Sequence, residues 1–140
     1  MVVTSAYPEL THMVQEIAGE LNVNVIVIEA VLEDALEQVE KVMGKHRVDV
    51  LVSRGGTAEL LKQRFHLPVI SAAPSEFDIL LALAKAKEQN TQIGYFSYPT
   101  VTDQGFLAQV KSILGIDIIH YTYTNATEMA TQMEAAYRQG

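Results

Sequence analysis

Arg54 stands where a fixed cation could do chemistry. It ends the run VDVLVSR and is followed by Gly55, Gly56 and Thr57, in the stretch VDVLVSRGGTAEL at residues 48–60. Guanidinium presents a planar fork matched to carboxylate or phosphate. Two glycines let backbone approach a ligand closely, and the free N–H groups at a helix start favour negative charge. Ser53 and Thr57 add hydroxyls, and Thr57 doubles as a candidate helix N-cap. The chemistry on offer is capture of an anion. A tight strand-to-helix turn with a solvent-facing Arg is the plainer alternative, because glycine pairs are ordinary in such loops.

Other constellations fall away. His12, His46, His66 and His120 lack metal-ligand spacing and read as surface or helix residues. GKHR at Gly44 has Val39 where a phosphate-binding loop needs its first glycine, so nucleotide hydrolysis has no support. GGTAEL is not a dinucleotide fingerprint. A phosphoacceptor domain needs acids after the first strand, and that place holds TSAYP. No acid–base pair or nucleophile accompanies Arg54, which argues for binding without turnover, and no metal or cofactor is expected. Tyr95, Phe96 and Tyr98 read as core and rim.

The elements that must position Arg54 alternate. Residues 2–5 form a short strand and PELTHMVQEIAGEL a helix, with Pro8 suited to its first turn. NVIVIEA is a buried strand, and VLEDALEQVEKVMG spaces Leu32, Leu36, Val39 and Met43 as an amphipathic helix. VDVLVS, LPVISAA, QIGYFSY and DIIHYTY follow as strands. Helices TAELLKQRF, SEFDILLALAKAKEQ, VTDQGFLAQVKSILG and NATEMATQMEAAYRQ separate and close them. Ser75 with Asp78, and Asn125 with Glu128, are spaced as caps. This alternation predicts an α/β fold, a parallel sheet with helices on both faces. Ligands sit at the carboxyl ends of such strands, where strand order reverses. In a 2-1-3-4 order Ser5, Tyr7, Arg54, Gly55, Gly56, Thr57 and Ser75 would line one cleft. The most polar link, KEQNTQ at residues 87–92, is the expected boundary between a first lobe, 1–90, and a second, 91–140.

Composition bounds the rest. The chain has 140 residues, is 49% hydrophobic and carries a net charge of −7 with no Cys, which excludes disulfides and thiolate chemistry. Residues 1–40 hold eight acids and no Lys or Arg, whereas residues 41–87 hold eight of the ten basic residues. Direct nucleic-acid contact is not expected of so acidic a chain. No apolar run reaches membrane-spanning length and no signal peptide is evident, so a cytoplasmic location and no membrane partner are expected.

Taken in order and spacing, YPELTHMVQEIA, VDVLVSRGGTAELL, LPVI and FDILLALAKAK resemble the N-terminal receptor domain of the propionate catabolism activator family, PrpR_N. The likeness covers nearly all of residues 5–90, and residues 91–140 follow it in pattern. It implies a two-lobed receptor of flavodoxin-like or chelatase-like lobes with a ligand cleft between them. In such sigma-54-dependent activators the receptor controls an adjoining AAA+ ATPase and a DNA-binding helix-turn-helix. The namesake's effector, 2-methylcitrate, is a tricarboxylate, consistent with an Arg beside exposed N–H groups. Gly56 departs from the Ala of many relatives, and the chain stops at AAYRQG where the family continues, so an incomplete second lobe is expected. The expected site is Arg54 as charge partner, Ser53, Gly55, Gly56 and Thr57 as donors, and Ser5, Tyr7, Ser75 and Phe77 as walls, taking a small anionic metabolite. A small enzyme acting on a phosphorylated or carboxylated metabolite is one alternative. A homodimerisation domain is the other, because the apolar helix FDILLALAKA must be buried against something.

Overall fold

The computed structural model describes residues 1–139, in two compact units, Met1–Ala72 and Ala73–Gly140. The first unit alternates β1 (Val2–Ser5), α1 (Pro8–Glu20), β2 (Ile26–Glu29), α2 (Leu32–Met43), β3 (Leu51–Ser53), α3 (Gly55–Arg64) and β4 (Val69–Ser71). Its four strands are all parallel, in the order β2-β1-β3-β4. That is the order with a switch point between β1 and β3.

Side chains on neighbouring parallel strands share a face when they are register partners. One face carries Val2, Ile26, Ile28, Leu51 and Val69, and packs against Val39 of α2 and Leu61 of α3. Val2, Val39 and Leu61 are fully enclosed. The second face carries Val3, Val27, Val52 and Ile70. Here α1 packs on β1 and β2 without a single fully buried residue. Pro8 opens α1, where its missing N–H costs nothing.

The second unit contains α4 (Glu76–Lys87), β5 (Gln92–Ser97), α5 (Gln104–Leu114), β6 (Asp117–Thr122) and α6 (Ala126–Gln139). β5 and β6 pair in parallel over six residue pairs. Leu83, Leu107, Val110 and Ile116 form its core, with Ile79, Leu80, Ile93 and Ile118 packed around them. These contacts correct the expected boundary. The division falls after Ala72, not at residues 87–92, because α4 buries Leu83 against α5 and β5 in the second unit. Phe77 and Leu81 of the same helix stay exposed. Phe96 stacks on Tyr121 with ring centroids 4.9 Å apart.

Candidate functional site

β3 delivers Arg54 to the carboxyl edge of the first unit's sheet. Arg54 is extended, at φ −141 and ψ 161, and stands as the N-cap of α3, with no side-chain cap bond. Gly55 then turns at φ +56, a left-handed conformation that costs a residue with Cβ about 1–2 kcal/mol. The helix therefore starts at Gly55, and the expected opening at Thr57 is corrected. Arg54 Nη1 donates to Tyr7 Oη at 3.2 Å, so the loops after β1 and β3 converge as the 2-1-3-4 order requires.

Three of the expected hydroxyls have other work. Ser53 Oγ lies 2.6 Å from Thr4 Oγ1 in a buried pair joining β3 to β1. Ser5, equally buried, donates to the Tyr7 carbonyl at 2.8 Å and shapes the turn into α1. Thr57 Oγ1 accepts the backbone N–H of Leu32 at 2.9 Å. Leu32 is buried at φ +51, so Thr57 braces an unusual backbone at the start of α2. These three residues are the scaffold of the loop. Arg54, the Tyr7 hydroxyl and the amides of Gly55 and Gly56 remain the groups that could meet a ligand. Ser75 and Phe77 lie on the second unit, in the first turn of α4. Ser75 Oγ accepts from the Asp78 N–H at 3.2 Å and the Ser75 N–H donates to Asp78 Oδ2 at 2.9 Å, the expected capping box.

Charge separates α3 from the other helices. Among the described residues, α4, α5 and α6 are capped by Ser75, Asp103 and Asn125. The first turns of α1 and α2 carry Glu9, and Glu33 and Asp34. Only α3 has neither a side-chain cap nor an acid in its first turn. Its positive dipole end thus has neither cap nor acid to offset it beside Arg54, with Gly55 half-buried and Gly56 buried.

A second polar cluster lies in the second unit. His120 sits on β6, half-buried, rather than on the surface or a helix. Gln104 Nε2 donates to its Nδ1 at 2.6 Å, and its Nε2 faces Ser97 Oγ at 2.7 Å. Burial lowers its pKa below the ordinary value. The Tyr95 ring lies 5.5 Å away, and its hydroxyl meets Thr102 Oγ1 at 3.2 Å. A cavity of about 160 Å³ opens beside it, bounded in part by Lys111 and Ile118. Burial raises the pKa of Tyr123, with Tyr95 adding to the shift. The only signal in the sequence is that His120 alternates with apolar residues in DIIHYTY. Among the described residues, no three His, Asp or Glu side chains come together to hold a metal.

Comparison with known proteins bears on family and fold. The family model described as propionate catabolism activator, PrpR_N, matches residues 19–140. The match thus takes in the second half of the chain, where the sequence likeness was one of pattern. The crystal structure of an NtrC family transcriptional regulator from Clostridium acetobutylicum is similar at a TM-score of 0.81 and 22% identity, over 99% of this chain and 72% of that one. At that identity the likeness is one of fold.

Proposed function

The chain belongs to the propionate catabolism activator family, PrpR_N, and from that premise we propose that it is a regulatory sensor domain that binds a small anionic metabolite at the Arg54 loop. The observation that carries this reading is the start of α3. It joins a helix N-terminus without a side-chain cap, two glycine amides and a guanidinium, with no acid in its first turn to neutralise them. A carboxylate or phosphate would accept from the amides of Gly55 and Gly56 and from Arg54, with the Tyr7 hydroxyl as a further partner.

Arg54 donates to the Tyr7 hydroxyl and orients, and among the described residues it forms no ion pair with a carboxylate. The reading is therefore binding without turnover, in a cytoplasmic regulator whose ATPase and DNA-binding segments lie outside these residues. No helix among the described residues is long and apolar enough to cross a membrane. An effector would signal only by binding two conformations of the domain unequally.

A thermal-shift screen of citrate-like acids, coenzyme A thioesters and sugar phosphates tests this, on wild type and Arg54→Ala together. A compound that raises the melting point of wild type alone supports the reading. Equal shifts in both proteins would place the anion elsewhere.

A further inference from the structure

The second face of the first unit's sheet is only partly covered. Parallel sheets bury both faces, yet on this face Ile70 of β4 is 57% exposed and Val52 of β3 only half-buried. α1 packs on β1 and β2, and Thr11 Oγ1 on one flank of it donates to Glu29 Oε2, at the end of β2, at 3.1 Å. The opposite flank of α1 must then look toward β3 and β4. At about 100° per residue, that flank carries Met13 and Ile17, continued by Leu21 at the helix end. They are 55%, 47% and 69% exposed. The result is an apolar shelf, with Val52 and Ile70 as floor and Met13, Ile17 and Leu21 as wall.

The polar border of that wall decides what fits it. Glu9, Glu16 and Glu20 fall next to Met13 on the helix surface, and residues 1–40 contain no Lys or Arg. A second copy of α1 would set one row of three acids against another. We propose that this shelf docks an amphipathic helix of a partner, apolar on one face and edged with Lys or Arg, in the helix-in-groove manner. Met13 to Leu21 spans about 12 Å along the axis, so about two turns of partner helix would fill it. This surface is independent of the Arg54 loop and stands whether or not an anion binds there.

Two synthetic peptides of about 18 residues, long enough to cover the shelf, test the proposal. Both carry one leucine and alanine face, and they differ in a border of lysine or of glutamate. Fluorescence anisotropy at low salt should show the lysine peptide binding at least about tenfold more tightly than the glutamate one. Ile17→Asp should abolish binding, and Glu16→Lys with Glu20→Lys should reverse the preference. Both changes are at exposed positions, and circular dichroism checks that the fold is kept. Equal affinity for the two peptides, or none for either, overturns the proposal. So does a dimer in sedimentation that Ile17→Asp converts to monomer, because a second copy would then occupy the shelf.

Discussion

Gly55 shows what a single residue contributes. A Cβ added there would meet nothing within 4 Å, so the cost of replacing it is conformational and not a clash. Gly55→Ala should lower stability by about 1–2 kcal/mol in urea unfolding, with Arg54 still present but its amides re-aimed. Thr57 makes a different kind of contribution. Thr57→Val keeps the shape and removes the acceptor for the buried Leu32 N–H, at a cost of about 1–3 kcal/mol, whereas Thr57→Ser should cost less. A shared melting point for the Val and Ser variants would show that this hydrogen bond does not brace α2. His120 adds a pH dependence with a definite sign. Its folded pKa is depressed, so the unfolded chain binds the proton more readily. Stability is therefore full above the ordinary His value of about 6.5 and declines as pH falls below it. Unfolding of wild type and His120→Asn at neutral and mildly acid pH should diverge in this way, and parallel curves would assign the effect to other groups.

Among the elements, the helix starts divide the two units. Ser75 caps α4 with its own side chain, so Ser75→Ala should cost about 1 kcal/mol in thermal or urea unfolding. An unchanged midpoint would count against that cap. α3 has no such residue to lose. Much of this level was legible in the sequence. Spacing of Leu32 and Val39 foretold α2, Pro8 marked the start of α1, and Ser75 with Asp78 marked that of α4. The alternation of β and α segments pointed to the parallel sheet, whereas the 2-1-3-4 order was a supposition that the strand pairing bears out. The rest depends on which face a side chain meets in space. α4 reads as an apolar helix whichever unit it joins, and only the packing of Leu83 on α5 and β5 assigns it to the second. Similarly, Ser5, Ser53 and Thr57 are the hydroxyls expected near a ligand. The buried partners of Ser53 and Thr57, namely Thr4 and Leu32, come from the pairing of strands and loops distant in sequence, whereas Ser5 bonds the carbonyl of Tyr7 two residues on.

At the scale of the whole molecule, each unit has its own core and its own polar cluster. The first sets an uncapped helix start beside a guanidinium at its sheet's carboxyl edge, and the second holds His120 between Ser97 and Gln104. The net charge of −7 makes an anion site in this chain a local matter, set by Arg54 and backbone dipoles against the overall field. Loss of a charge-assisted hydrogen bond costs about 1.5–3 kcal/mol, or about 10- to 100-fold in affinity. The most direct test is therefore an amide-resolved NMR titration of the chain with citrate, in wild type and in Arg54→Ala. The N–H signals of Gly55 and Gly56 should move in wild type, and the same shifts in Arg54→Ala should need at least about tenfold more citrate. Citrate binding that moves the amides of other helix starts and leaves Gly55 and Gly56 in place would contradict the assignment of the site to the Arg54 loop.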